Sequence, residues 1–404
     1  MTETYRQACD LFPYTQSIRR DLHRHPELGF QETRTAQIIR RELEALGLDV
    51  RSGIAHTGIV ALLKGAKPGL VVLVRADMDA LPIEEKTGAE YASQEAGKMH
   101  ACGHDGHVAI GLTVAKILHS RRSDLAGTVK FIFQPAEEGT IGPEGMGGAE
   151  WMIAQGILED PRPEVAFALH LWNEQPLGWL NIASGPVMAG AEFFKIKVIG
   201  RGGHGAAPHL TADPLLAAAH ILTALQSVVA RNIAPLNAAV VTIGSLHGGT
   251  AFNIIPPEVE MEGTIRTFDP HVRAAVLQRV EEIARQVAAG LGCKVEFTGR
   301  RITPAVINHP KAAGIVRQAA QKVLPQAKID TSPYLTMGAE DMAFILEQIA
   351  GCYFFVGSAN PEKGLDYGHH HPQFDFDEAA MVNAAALMAE AVMEYTGAEI
   401  SSPA

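Results

Sequence analysis

The sequence predicts an α/β protein in which a larger sheet domain is interrupted by a smaller α+β domain. Two observations predict this fold class. Helical and extended segments alternate over residues 1–187, which is typical of helices packed on a sheet. Between residues 188 and 300 the order becomes β-α-β-β-α-β, the order of a ferredoxin-like unit. We therefore predict one domain built from residues 1–187 and 301–404, with residues 188–300 inserted into it.

The larger domain begins with a helical segment that ends near His25, followed by a helix with Ala36, Ile39 and Leu43 on one face. The run LVVLVRADMD is nearly continuously apolar, which is typical of a strand covered on both faces. The predicted strands of this domain lie at 57–63, 70–79, 128–133 and 164–172, and its later helices at 107–119, 149–157 and 377–395. Ligands collect at strand ends in such sheets, and the polar residues at or just past these ends are Asp77, Glu137, Glu138 and His170.

The inserted domain is predicted from a change in pattern after residue 187. Its elements are a strand at 193–199, a helix at 213–230, strands at 238–247 and 256–267, a helix at 270–289 and a strand at 293–298. Because the chain resumes helical and extended segments after residue 301, we expect the insertion to interrupt the larger domain rather than to follow it.

Composition excludes several classes of function. Hydrophobic residues make up 47% and charged residues 20% of the 404 residues, a balance typical of ordered globular domains. The formal net charge of −11 argues against a nucleic-acid partner, since such proteins present clustered Lys and Arg. No apolar run approaches the roughly 20 residues that span a bilayer, and the amino terminus lacks a signal-peptide pattern. We therefore expect a cytoplasmic protein with no membrane partner.

Three short segments together predict a metal site. The stretch HACGHDGH at 100–107 combines one cysteine with three histidines, GHHHP at 368–372 adds a histidine triplet, and FQPAEEG contains two adjacent carboxylates. The four cysteines have no spacing typical of disulfides, so reduced thiols are expected. The candidate ligands are Cys102, His104, Glu138, His170 and one of His369, His370 and His371. Five ligands exceed the needs of one open tetrahedral ion, which favours two ions roughly 3.5 to 4 Å apart.

The two adjacent glutamates predict a division of roles. Neighbouring residues cannot easily both bind one ion, so Glu138 is predicted as a ligand and Glu137 as the general base that takes a proton from a water. Asp77 and Asp105 are predicted to orient the ligand imidazoles from outside the ligand set.

Each of these features taken alone has a simpler explanation. Cys102 could be a small buried apolar residue, and His170 a hydrogen-bonded core residue. The histidine triplet could be a solvated loop, and the glutamate pair a surface charge run. Their joint occurrence at the ends of strands favours the metal site.

Seven motifs occur in an order that is similar to that of the M20-type amidohydrolases, the subgroup with hippurate hydrolase, indoleacetyl-amino-acid hydrolases and N-acetyldiaminopimelate deacetylase. They are RRDLHRHPELGFQE, RADMDALPIEE, MHACGHDGH, FQPAEEG, GRGGHGAAPH, AFNIIPPEVEMEGTIRTF and GHHHPQFDFDE. The resemblance extends from about residue 17 to about residue 390. It implies a mixed-sheet catalytic domain with a binuclear metal centre, and a smaller domain that acts as a lid and dimer interface.

The resemblance also implies roles for individual residues. The family's ligand positions are Cys102, His104, Glu138, His170 and, two residues before Pro372, His370, with His369 and His371 left open by the triplet. His204 matches a histidine that reaches the scissile carbonyl in the partner subunit, and Asn253 and Arg266 match positions that bind the substrate carboxylate. Without the resemblance, His204 would be a locally hydrogen-bonded turn residue and Arg266 a member of a surface salt bridge.

These features predict a metal-dependent amidohydrolase that cleaves the amide bond of N-acyl amino acids, with an acetyl or aryl-acyl group. A carboxypeptidase acting on dipeptides or short peptides is the first alternative, and a non-catalytic metal-binding protein is a remote one. Zinc and manganese are the expected ions, and mixed sulfur, nitrogen and oxygen ligands also admit cobalt and nickel. A homodimer or higher homo-oligomer through the inserted domain is expected from the resemblance.

Overall fold

The computed structural model describes residues 1–397. Its α-helices are α1 (Glu3–Asp10), α2 (Phe12–Arg24), α3 (Thr33–Ala45), α4 (His104–Ser120), α5 (Gly148–Ala154), α6 (Pro214–Leu225), α7 (Pro270–Gly290), α8 (Pro310–Val323), α9 (Met342–Leu346) and α10 (Ala379–Gly397). Its strands are β1 (Asp49–Ile54), β2 (Gly58–Lys64), β3 (Lys67–Asp77), β4 (Ala126–Gln134), β5 (Val165–Pro176), β6 (Trp179–Asn181), β7 (Gly185–Met188), β8 (Gly190–Ile199), β9 (Gly203–His204), β10 (Ala239–His247), β11 (Ile254–Ile255), β12 (Glu258–Thr267), β13 (Lys294–Thr303), β14 (Val306–Asn308), β15 (Lys328–Asp330) and β16 (Ala350–Ala359). None of the helices among these residues is long and apolar enough to cross a membrane.

The larger of two compact units contains residues 1–185, 307–334 and 344–397. Its eight-stranded sheet has the order β1-β2-β4-β3-β5-β16-β6-β15. Strand β3 runs parallel to both of its neighbours, β4 and β5, and β5 runs parallel to β16, whereas β2 runs antiparallel to both β1 and β4. The predicted mixed sheet is therefore confirmed, and the carboxyl ends of β3, β4 and β5 lie at one edge of it.

Helix α4 is the central helix of the larger unit. It is apolar around most of its circumference, and Val108, Leu112 and Leu118 are buried together with most of its other residues. A helix that is hydrophobic all round must be covered on every side. Helices α2 and α10 and strand β3 pack against α4, so its first turn is held rigidly at the sheet edge.

The smaller compact unit contains residues 186–306 and 335–343. Its antiparallel sheet has the order β10-β12-β8-β13, and α6 and α7 pack against this sheet, which gives the chain order β8-α6-β10-β12-α7-β13. The boundaries differ from the 188–300 predicted for the insertion. Residues 335–343 belong to this unit because Ala189 N donates to the carbonyls of Thr336 and Gly338, and Thr336 N donates to Val187 O.

Two elements near the predicted site differ from the sequence prediction. Helix α4 begins at His104 rather than at residue 107, so its first turn includes Asp105. Strand β5 continues to Pro176, and His170 therefore lies inside the strand and not at its end. The physical reason is β16, a strand that the sequence analysis did not predict, which pairs with β5 as far as Ala359 opposite Pro176.

Candidate metal centre

Cys102 and His104 lie on either side of a sharp backbone turn at the start of α4. Gly103 between them has a φ of 95°, a left-handed conformation that glycine adopts without steric cost. Both flanking side chains are buried. The turn thus brings a thiol and an imidazole to the same buried point at the sheet edge.

The two glutamates follow β4, which ends at Gln134. Glu137 and Glu138 are both half-buried, and one carboxylate oxygen of each lies within 4.8 Å of a ring nitrogen of His104. A further cluster at the same spacing joins Cys102, Glu138 and His370. Glu138 therefore belongs to two potential ligand clusters. Glu137 joins it in the cluster with His104 but not in the cluster with Cys102 and His370.

His170 faces the cysteine from the neighbouring strand. Its Nδ1 donates to the carbonyl of Leu171 at 2.7 Å, which leaves the lone pair on Nε2, 3.4 Å from the Cys102 sulfur. Burial lowers the pKa of His170 well below its usual range, so the ring stays neutral. A neutral imidazole is the form that binds metal.

The histidine triplet splits into three different environments. His369 is half-buried, accepts a hydrogen bond at Nε2 from Asn173 N at 3.2 Å, and so carries its proton on Nδ1, 3.9 Å from the Cys102 sulfur. His370 has a left-handed backbone, with φ at 64°, and its Nε2 lies 3.2 Å from Glu138 Oε1. His371 is exposed and stacks on the ring of Tyr367. Of the three, His370 is the one whose free nitrogen faces a predicted ligand.

Two buried polar atoms at this point have no hydrogen-bond partner among the described residues. They are Nε2 of His104 and Oε1 of Glu138, which lie 3.9 Å apart, and the same carboxylate oxygen is also in ion-pair contact with Nε2 of His370 at 3.2 Å. An unpaired buried polar atom costs roughly 1 to 3 kcal/mol, so such atoms require an explanation. A cation between them would satisfy both, and the donor set of sulfur, imidazole and carboxylate suits a transition-metal ion.

The electrostatics of the cluster favour a cation. Burial and the negative charges of Glu138 and Glu137 raise the pKa of the Cys102 thiol well above its usual range. At His104, burial lowers the pKa, but the charges of Asp77, Asp79 and Glu138 and the hydrogen bond to Asp79 together outweigh burial, and the pKa rises to about 10. Both shifts reflect a negative local field, which a bound divalent ion would reverse. The residues present therefore fit a metal.

The residues around the candidate ligands differ in part from the prediction. Nδ1 of His104 donates to the backbone carbonyl of Asp79 at 3.0 Å. The carboxylate of Asp79 lies 3.2 Å from the same nitrogen. Asp77 instead accepts from Nδ1 of His107 at 2.6 Å, and the other nitrogen of that ring accepts from Leu171 N. His107 thus joins α4 to the end of β3 through Nδ1 and to β5 through Nε2, and with both nitrogens engaged it is not available as a ligand.

Asp105 was predicted to orient a ligand imidazole, and the structure shows other partners for it. It accepts hydrogen bonds from Nε of Arg19 at 2.8 Å and from His23. Arg19 is fully buried and also contacts Asp375 at 2.7 Å and Glu378 at 3.3 Å. One guanidinium thereby joins the first turn of α4 to the segment that follows the histidine triplet.

The sequence analysis missed Asp79, Arg19 and Asn173. Asp79 carried a local signal, because it lies two residues after Asp77 and a period of two directs side chains to one side of an extended chain. Arg19 and Asn173 carried none, since their contacts are made across more than 80 residues of sequence.

The predicted residues of the smaller unit have their own local geometry. His204 is exposed and accepts at Nδ1 from Ala206 N at 3.0 Å, which matches the simpler turn-residue explanation. Asn253 is exposed and adjacent to it, because Ile254 pairs with His204. Arg266 is half-buried, donates to the hydroxyl of Thr264, and forms no ion pair with any described carboxylate. The surface salt bridge considered for Arg266 is therefore absent from residues 1–397.

Comparison with known proteins gives consistent matches. Residues 73–394 match the family model described as peptidase family M20/M25/M40. N-acetylcysteine deacetylase of Bacillus subtilis is 40% identical over 93% of this chain and 94% of its own. Thermostable carboxypeptidase 1 of Saccharolobus solfataricus is 38% identical over 89% of this chain and 90% of its own. Among solved structures, the Bacillus subtilis YXEP protein, described as a dinuclear metal binding peptidase from the M20 family, superposes with a TM-score of 0.83 at 35% identity, covering 96% and 99% of the two chains.

Proposed function

The chain belongs to peptidase family M20/M25/M40, and from that membership we propose that it hydrolyses the amide bond of N-acyl amino acids, with an acetyl or aryl-acyl group. The observation that carries the proposal is the position of Glu137 and Glu138 together beside the unpaired nitrogen of His104. This arrangement supplies a ligand and a base at one point, as amide hydrolysis requires.

Two divalent ions, zinc or manganese, would be held by five residues of the larger unit. Cys102 belongs to one cluster with His170 and His369 and to another with Glu138 and His370, so its sulfur would be a ligand common to both parts of the set. His104 would complete the set through Nε2. When bound, the ions would polarise the amide carbonyl and lower the pKa of a water towards about 7.

His370 is the member of the triplet that we assign to the metal. Its Nε2 faces Glu138, whereas the proton on His369 Nδ1 is directed at the Cys102 sulfur. A neutral His369 can donate a hydrogen bond to a thiolate, and burial together with the charge of His370 lowers its pKa to about 3, which keeps it neutral. Such a hydrogen bond would hold the sulfur in place without occupying a ligand position.

Glu137 would move the proton during the reaction. Its carboxylate lies beside Glu138 and His104 and can take the proton from the attacking water. The same group would then return that proton to the nitrogen of the leaving amino acid. Only one side chain is needed for both transfers because the carboxylate is regenerated in each turnover.

Residues of the smaller unit would contribute to substrate recognition. Arg266 offers a planar two-donor group and has no carboxylate partner among the described residues, which suits it to bind the substrate carboxylate together with Asn253. His204 would donate a hydrogen bond to the developing oxyanion. By resemblance to the family, this unit would act as lid and dimer interface in a homodimer or higher homo-oligomer.

A carboxypeptidase activity on dipeptides or short peptides is the second candidate. It is favoured by the 38% identity to a thermostable carboxypeptidase, which is close to the 40% identity to the deacetylase. The same residues would perform both reactions, since each cleaves an amide next to a free carboxylate. The non-catalytic alternative has no comparable support, because it gives Glu137 no role.

A substrate panel after metal exchange tests the proposal. The protein is stripped with a chelator, reloaded with zinc, manganese, cobalt or nickel, and assayed on N-acetyl amino acids, hippurate and dipeptides. We expect no turnover in the stripped protein and restored hydrolysis of N-acyl amino acids with at least one ion. Faster cleavage of dipeptides would favour the carboxypeptidase, and no hydrolysis of any amide with any ion would reject both.

A further inference from the structure

We propose that Glu32 is a positioning residue that holds the loop carrying Glu137 and Glu138. It contacts neither the candidate ligands nor the base, and acts through the backbone of Ala136. The expected effect of Glu32 on catalysis rests on the proposed function. Its expected effect on metal binding requires only that Glu138 is a metal ligand.

Glu32 is the N-cap residue of α3, but its side chain does not cap the helix. Glu27 takes that role, with its two carboxylate oxygens accepting from Arg34 N at 2.9 Å and Thr35 N at 2.8 Å. The carboxylate of Glu32 is therefore left to reach a different segment of the chain.

That segment is the loop after β4. Glu32 is fully buried, and its Oε1 accepts a hydrogen bond from Ala136 N at 2.9 Å, directly before Glu137. Its Oε2 accepts from the hydroxyl of Thr57 at 2.6 Å. Both oxygens are thus used, one to hold the loop and the other to hold the carboxylate in place.

The loop conformation depends on such support. Ala136 has a φ of 51°, a left-handed conformation that residues with a Cβ rarely adopt. On the other side of the loop, Gly148 N donates to Ala136 O, and a Cβ at Gly148 would lie only 1.7 Å from Pro135 O. Loss of the Glu32 acceptor would leave a buried amide unpaired next to a strained residue, and the loop would relax.

Glu138 shows that the loop is held at alternate amides. Asp79 accepts from Glu138 N at 3.0 Å, two residues beyond the amide that Glu32 holds. With both contacts present, the backbone on each side of Glu137 is fixed. With only the Asp79 contact present, the backbone before Glu137 would be free to rotate.

The placement of Glu32 also carries a cost. Burial, with a further contribution from Asp79, raises the pKa of Glu32 to about 7, so a negative charge is unfavourable there. A buried carboxyl in this state is poorly explained by stability alone. Residues that cost stability but fix a catalytic loop are typical of functional sites.

Three variants test the proposal: Glu32→Ala, Glu32→Gln and Thr57→Val. Glu32→Ala removes the acceptor, Glu32→Gln keeps an oxygen for Ala136 N, and Thr57→Val removes the other hydrogen bond of Glu32 without touching the loop. We measure kcat and KM with an N-acetyl amino acid, and zinc affinity by titration calorimetry. Small displacements of reacting groups cost up to roughly 100-fold in rate.

We expect Glu32→Ala to lower kcat about 30- to 100-fold with KM nearly unchanged, and to weaken zinc binding about 10-fold. Glu32→Gln and Thr57→Val should stay within about fivefold of the wild type in both measurements. The proposal would be overturned if Glu32→Ala and Thr57→Val lowered kcat and zinc affinity equally. It would also be overturned if Glu32→Gln lowered them as much as Glu32→Ala does. Should the wild type hydrolyse no substrate, the proposed function fails, and the zinc affinities still decide the role of Glu32.

Discussion

Asp79 and His104 are joined by a buried contact in which Nδ1 of the imidazole lies 3.2 Å from Oδ1 of the carboxylate and 3.0 Å from the aspartate's own carbonyl oxygen. The second carboxylate oxygen accepts from Glu138 N. One aspartate therefore orients the side chain of one candidate ligand and the backbone of another.

Replacing this aspartate should weaken metal binding. The side chain of Asn at position 79 keeps one acceptor oxygen and has an amide NH2 in place of the other. This side chain therefore cannot accept hydrogen bonds from both His104 Nδ1 and Glu138 N. We expect Asp79→Asn to lower zinc affinity about 10- to 100-fold, as the loss of such supporting contacts typically does. Competition with a chromophoric chelator measures this. Asp21→Asn is the control, since Asp21 is partly exposed and pairs with Arg34; similar losses of zinc affinity in both variants would contradict this role of Asp79.

The histidine triplet provides a second prediction. His370→Ala should remove about one equivalent of bound metal, because Nε2 of His370 faces Glu138. His371→Ala should retain full metal content, since its ring stacks on Tyr367. His369→Ala should retain metal with reduced turnover, because its contact is with the Cys102 sulfur. Elemental analysis of the three purified variants measures the outcome, and full metal content in His370→Ala would reject our assignment.

Much of the fold, and the closeness of several candidate ligands, could be predicted from the sequence because the signals are local. The apolar run before Asp77 predicts a buried strand, and adjacency alone predicts that Glu137 and Glu138 lie together. The supporting contacts could not be predicted in the same way. Arg19 meets Glu378 across 359 residues, and no pattern around either residue specifies the other.

His170 illustrates the same limit within the sheet. Its strand was predicted to end near residue 172, and it continues to Pro176 because β16, nearly 180 residues later, pairs with it. Long-range pairing therefore decides where a strand ends, and periodicity within the strand does not. The resemblance pointed to His370 by its place two residues before Pro372 but left His369 and His371 open, and only the three-dimensional contact of His370 with Glu138 favours one of the three.

The buried carboxyl of Glu32 predicts a pH dependence of stability. Burial, then the charge of Asp79, raises its pKa from 4.5 to about 7 in the folded protein. Between these values the folded state retains a proton that the unfolded chain has lost, so the free energy of unfolding decreases as pH rises. The full penalty, reached above pH 7, is about 3 kcal/mol.

Glu32→Gln should remove this contribution of the carboxyl to the pH dependence of the free energy of unfolding. Urea unfolding of the metal-free protein should show the variant gaining stability relative to the wild type between pH 5 and pH 8. A difference between variant and wild type that is the same at both pH values would contradict the shifted pKa.

Arg19 and Arg20 form a matched pair for a stability test. Arg19 is fully buried among three carboxylates, and its removal would take away the one cation that they share, which typically costs about 3 to 5 kcal/mol. Arg20 contacts only one of these, Glu378, at a more exposed position, and should contribute about 1 kcal/mol. Urea unfolding of Arg19→Met and Arg20→Gln should reproduce this order. Equal losses in the free energy of unfolding would show that the buried network does not stabilise the fold more than the exposed pair does.

The division of roles between Glu137 and Glu138 is the central claim, and one comparison tests it most directly. Metal content and amide hydrolysis are measured together for Glu137→Gln and Glu138→Gln. We predict that Glu137→Gln retains wild-type metal content and loses at least about 100-fold in kcat, as expected for removal of a general base, while Glu138→Gln loses bound metal as well as activity. An active Glu137→Gln enzyme, or a Glu138→Gln variant that retains all of its metal, would contradict the claim.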